Sequence, residues 1–191
     1  DAARKVSSVE TVPHVSRLAI EITRDIMETM PLALEAAIIL HDSGKHKARV
    51  LKEDKISWGF PEHEIFSYDM VTQNKVTYLG GPISRMTKFI IRYHDTPSHI
   101  FWSKGRMENI FSIAEQEFPN PEESKEAIRF LICFVTLDTL GSVTSDGTHE
   151  LRPLNRLIDS YLIYYGKNLD CASPLTQGYF YQNSSSSLSL N

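Results

Sequence analysis

The sequence predicts an all-α fold, and three observations carry that expectation. Apolar residues recur at helical spacing in about residues 14 to 30, 32 to 43, 62 to 74, 83 to 95, 106 to 117, 122 to 141 and 151 to 166. Only Lys75-Val76-Thr77-Tyr78-Leu79 alternates like a strand, and one short alternating run does not make a sheet. Proline and glycine stand at the joints, at Pro31, Gly59, Gly80-Gly81-Pro82, Pro97, Gly105, Pro119, Pro121, Gly141, Gly147 and Pro153. The pattern reads as a bundle of about six to eight helices.

Taken in order, the first helix begins at His14, with Val15, Leu18, Ala19, Ile22 and Ile26 along its apolar face. The second holds the apolar run Leu32 to Leu40, in which Glu35 is the one charged residue, and closes on His41-Asp42-Ser43-Gly44-Lys45. A carboxylate buried beside a histidine there is costly unless a cation compensates it. The plainer alternative is a helix C-terminus capped by Gly44, with Lys45 complementing the dipole and His41 and Asp42 turned to solvent. Pro61-Glu62-His63-Glu64 supplies the residues that a helix first turn prefers, so His63 opens a third helix. The segment from Ile83 carries Met86, Phe89, Ile90 and Tyr93 on one stripe and ends in His94-Asp95. In the long run Ala127 to Leu140, Asp138 follows Phe134 by four residues and Val135 by three, a position that needs a reason.

Composition narrows the class. With 191 residues, 41% hydrophobic and 10% aromatic, the chain can build one sizeable core. We expect one domain over residues 1–168 and a low-complexity tail or linker over 169–191, rich in serine. The abrupt start suggests a piece of a longer protein. No stretch approaches a membrane span and Asp1-Ala2-Ala3-Arg4-Lys5 is no signal peptide, so no membrane partner and a cytoplasmic location are expected. Cys133 and Cys171 suggest neither a disulfide framework nor a thiolate metal site.

The ordered set Pro13-His14-Val15-Ser16-Arg17-Leu18-Ala19, His41-Asp42-Ser43-Gly44-Lys45 and Thr136-Leu137-Asp138-Thr139 resembles the HD superfamily of metal-dependent phosphohydrolases. The resemblance covers about residues 13 to 142. Between these elements, Gly59-Phe60-Pro61-Glu62-His63-Glu64-Ile65-Phe66-Ser67 and Ile91-Arg92-Tyr93-His94-Asp95 look like the extra histidine elements of several branches, including the domain attached to some CCA-adding tRNA nucleotidyltransferases. Ser43 departs from the family, which usually has a hydrophobic residue there. The resemblance implies a compact HD-domain helical bundle in which His14, His41, Asp42 and Asp138 hold a metal ion, with His63 and His94 as further ligands for a second ion bridged by Asp42.

Imidazole and carboxylate together suit one or two divalent ions of the Mn, Fe, Co, Ni or Zn type, and the lack of thiolates argues against a structural zinc. The expected catalytic set is Asp42, Lys45, His63 and His94. The two histidines have three open roles: holding a second ion, donating to a substrate phosphate, or protonating the leaving oxygen. Lys45, Arg17 and Lys47 are the candidates to bind substrate phosphate, against the alternatives of a solvated lysine and, for Arg17, a surface ion pair. Asp95 is expected behind the ligands, fixing a histidine tautomer, or else capping the next loop. His46, His99 and His149 are expected to be mostly solvated.

The substrate expected is a nucleotide or an RNA-end phosphate, such as a 2',3'-cyclic or terminal phosphate. Lys45, Lys47, Arg49, Lys52 and Lys55 form a basic segment in a chain of net charge -4. Loop 96–105 mixes His99, Phe101, Trp102 and Lys104, with Arg106 next to it, in a way that suits base stacking. The alternatives are a small-molecule nucleotidase of the same superfamily and a non-catalytic nucleic-acid-binding or scaffold domain.

Overall fold

The computed structural model describes residues 15–142 and 149–166. The helices are α1 (Arg17–Thr29), α2 (Pro31–Leu40), α3 (Lys45–Ala48), α4 (His63–Gln73), α5 (Arg85–Tyr93), α6 (Thr96–Trp102), α7 (Glu108–Glu117), α8 (Pro121–Gly141) and α9 (Arg152–Gly166). Two antiparallel strand pairs interrupt them. Strand β1 (Val50–Leu51) pairs with β2 (Trp58–Gly59), and β3 (Thr77–Tyr78) pairs with β4 (Gly81–Pro82). The architecture is all-α, as the periodicity predicts.

Helix α8 is the axis of the bundle. Asn120 caps its start by accepting from the Glu122 amide, and Pro121 sits where its missing N–H costs nothing. From Ala127 to Leu137 nearly every residue is buried, because α1, α2, α5, α7 and α9 all pack against it. The main core joins Ala19, Ile22 and Ile26 of α1 to Leu34 and Ala37 of α2, Phe89 and Ile90 of α5, Phe111 of α7 and Leu157 of α9. A smaller cluster of Ala36, Val71, Ile83 and Ile91 lies on the other side of α2. Ala36 and Ala37 thus face two different cores, so α2 is packed on two sides and its C-terminal end is fixed between them.

Four differences from the sequence reading have physical causes. Helix α2 stops at Leu40 because its last carbonyls are taken by side chains: Ile38 O accepts from His41 Nδ1 at 3.0 Å and Leu40 O from Ser43 Oγ at 2.8 Å. Gly44 does not act as a left-handed cap. Its φ is -83°, and glycine is needed because a Cβ would lie 2.4 Å from the Ser67 amide nitrogen and 2.6 Å from the His63 carbonyl oxygen. Helix α6 forms in what reads as a loop, with Pro97 in its first turn. His149 is not simply solvated, since its ring lies 3.0 Å from Thr139 O and 2.7 Å from Ser142 O and so closes the end of α8.

Candidate metal centre

Helix ends bring the site together. His41 ends α2, His94 ends α5, His63 begins α4 and Asp138 lies in the last turn of α8. Each histidine uses the same local device. The Nδ1 of His41, His63 and His94 lies 3.0 Å from the carbonyl oxygen three residues earlier, of Ile38, Phe60 and Ile91 respectively. A carbonyl can only accept, so each Nδ1 carries the proton and each Nε2 turns toward the centre. Phe134, buried at the same level, packs edge-on against His41 at 5.1 Å and His94 at 5.7 Å between ring centroids.

The Nε2 atoms and carboxylates then crowd together. His63 Nε2 is 3.2 Å from His94 Nε2. Asp42 sends its two oxygens to different sides, Oδ2 lying 3.2 Å from His41 Nε2 and Oδ1 3.2 Å from His63 Nε2. Asp95 Oδ2 is 3.6 Å from His63 Nε2, and Asp138 Oδ1 is 3.7 Å from His41 Nε2. Lys45 Nζ rests on Asp42 Oδ2 at 2.6 Å. His41, Asp42 and His94 form one group able to hold a metal ion, and His63, His94 and Asp95 form another.

The donor set fits a cation. Asp42 Oδ1 is buried without a hydrogen bond, and the imidazole beside it has committed its neutral-form proton to Phe60. Two neutral imidazoles meeting Nε2 to Nε2 place lone pair against lone pair, an arrangement that requires an added proton or a metal ion. Donors about 2.1 Å from one ion, set between octahedral and tetrahedral angles, lie about 3.0–3.4 Å apart, and the three closest pairs here are each 3.2 Å apart.

The electrostatics follow from the same contacts. Burial acts to lower the His41 and His63 pKa values, but Asp42, with Asp138 for His41 and Asp95 for His63, outweighs it and raises both. His94 is more deeply buried, and desolvation keeps its pKa below the ordinary imidazole value. For Asp42, burial works to raise the carboxyl, yet His41, His63 and Lys45 together hold it well below the usual carboxylate range. The centre therefore keeps an ionised carboxylate and one neutral imidazole side by side.

The structure brings together His41, Asp42, Lys45, His63, His94, Asp95 and Asp138. Asp95 stands on the Nε2 side of His63, among the ligand-type atoms and not behind them. Arg17 pairs with Glu21 at 2.9 Å on the exposed side of α1, its side chain 74% exposed, so the surface ion pair is what forms. Lys47 is exposed on α3. His14 lies outside the described residues, as does Cys171. Three contributors escape a reading by spacing. Gly44 lets α4 approach through the bond from its amide to Ser67 Oγ at 2.8 Å. Phe60 supplies a carbonyl. Glu64 is buried, its Oε2 without a hydrogen bond and 3.4 Å from His63 Nδ1. The acidic residue straight after His63 was the only sequence signal of that last contact.

No protein-family model, curated protein or solved structure matches the chain. The functional reading therefore rests on the site.

Proposed function

We propose that the protein is a metal-dependent phosphohydrolase, cleaving phosphoester bonds of nucleotides or RNA ends such as 2',3'-cyclic or terminal phosphates. The observation that supports it most is the buried, unbonded Asp42 Oδ1 facing His63, with bare imidazole nitrogens converging beside it. His41, Asp42 and His94 would hold one ion, with Asp138 beside His41, and His63 and Asp95 the other. Asp42, with one oxygen toward His41 and the other toward His63, would be the residue able to serve both ions. A bound divalent ion of the Mn, Fe, Co, Ni or Zn type supplies an acidified water and polarises a phosphoryl oxygen.

The chain's own residues do the remaining work. Lys45, half-exposed beside Asp42, is placed to neutralise a substrate phosphate oxygen. Phe134 keeps water from the inner faces of His41 and His94 and fixes their rings. Where only one ion binds, His63, its Nε2 facing Asp42 and Asp95, can hold the proton that the leaving oxygen takes up.

The test is elemental analysis of the purified protein, paired with hydrolysis of bis-p-nitrophenyl phosphate and 2',3'-cyclic AMP across a metal panel. Near-stoichiometric metal with chelator-sensitive turnover is the expected result. Metal without turnover on these or on nucleoside monophosphates would overturn the enzymatic reading. Absence of metal binding under every condition would overturn the site itself.

A further inference from the structure

The connection between the two halves of the site is built as a grip for a chain of phosphates. It leaves the centre at Lys45, runs through α3, turns as the β1–β2 hairpin, and returns at Phe60 to His63. Residues 45–58 carry five lysine and arginine residues against two carboxylates, in a protein of net charge -4. One of those carboxylates, Asp54, is used by the turn itself, accepting from the Ile56 and Ser57 amides and the Ser57 hydroxyl.

Three of these cations lie against Phe60, Gly59 and Trp58 of the returning strand and its approach to the site. Lys45 Nζ stands 5.7 Å from the Phe60 ring centroid. The Lys52 stem crosses Gly59, where a Cβ would meet its Cε at 3.5 Å. Arg49 lies flat on Trp58, its guanidinium carbon 3.6 Å from the ring centroid, and Trp58 remains 42% exposed. Val50, Leu51 and Ile56 are exposed on the same hairpin, Ile56 by 86%. Several cations on one segment, together with an exposed indole and guanidinium pair and exposed apolar side chains, match a backbone of phosphates carrying flat apolar rings. Isolated phosphates would need only the cations nearest the centre, and a purely apolar partner would need none of them.

We infer that the β1–β2 hairpin binds a single-stranded oligonucleotide whose terminal phosphate lies in the His–Asp centre. The substrate is then a polynucleotide end and not a free nucleotide. This rests on the phosphohydrolase reading for the orientation of the strand, but the binding can be measured without turnover.

The experiment uses oligoribonucleotides from a mononucleotide up to about eight nucleotides, with chelator present, in a Trp102→Phe background so that fluorescence reports Trp58. Affinity, read by isothermal titration calorimetry, should climb at least about tenfold with length and the Trp58 fluorescence should change, while Trp58→Ala or Arg49→Ala, read by the same calorimetry, should cost about tenfold to a hundredfold. Lys52→Glu with Lys55→Glu, both exposed and checked for unchanged circular dichroism, should flatten the log–log salt slope by about 1.4. A mononucleotide binding as tightly as the longest strand would overturn the inference. So would inorganic polyphosphate binding as well as RNA, or anionic phosphatidylserine vesicles binding where RNA does not. Strand binding without hydrolysis of any phosphoester keeps the inference and sinks the hydrolase. Hydrolysis with length-independent binding does the reverse.

Discussion

The two ends of the α8 surroundings obey opposite rules. Around Phe130 and Leu131 the side chains of the main core are apolar and buried, and nothing from outside is needed to complete them. One helical turn further on, around Asp138, His41 and Asp42, polar atoms face one another with too few protons to go round. The core stores stability, whereas the centre holds an unmet demand for positive charge. Residues that look equally buried therefore differ in what their loss would do.

The sharpest way to break this contrast is at Asp42. Asp42→Ala, and likewise Asp138→Ala, should remove metal binding and lower turnover by several orders of magnitude while urea unfolding stays cooperative. Near-normal hydrolysis in either variant would contradict the site. On the core side, Phe134→Ala should cost about 3–5 kcal/mol, because it opens a cavity against two imidazoles. A urea midpoint close to wild type would mean that the ring is not the shared wall described above.

Supplying the missing charge tests the same idea from the other direction. A divalent ion at a hundredfold excess over its Kd should raise stability by about 2.7 kcal/mol, seen as a higher Tm that chelator reverses. In Asp42→Ala the increment should vanish, and its persistence would point to binding elsewhere. A separate effect belongs to the core at high pH. Burial pushes the Cys133 thiol and the Tyr161 and Tyr165 hydroxyls up to about 12. The folded chain keeps those protons where the unfolded chain loses them, so their contribution is complete below about pH 9 and falls away toward pH 12. Urea midpoints should drop between pH 8 and pH 11, and a flat profile would contradict the burial of these groups.

Much of this was legible in the order of residues, for reasons that differ along the chain. Helices α1, α5 and α9 were readable because one face of each is buried and the period of 3.6 survives in the sequence, and α8 because its buried stretch is one long apolar run. Helix α6 escaped because seven residues starting at a proline carry too few turns to show a period. The β1–β2 pair escaped because two residues cannot alternate, whereas β3 lies inside the alternating run Lys75 to Leu79. His41, Asp42 and Asp138 were readable as polar residues in apolar runs. The side on which Asp95 stands was not, since it depends on how α5 turns into α6.

Gly44 has a consequence for how the centre keeps its dimensions. At Gly44 the backbone of the Asp42 turn rests directly on the backbone of α4, and the one side chain in the contact, Ser67, is short and holds the Gly44 amide through its hydroxyl. The spacing between Asp42 and His63 is thus gauged by main-chain thickness, the one measure in a protein that does not vary with residue type. Any residue larger than glycine acts as a shim, pushing α4 outward and widening the 3.2 Å gap between the two groups that are to share a charge.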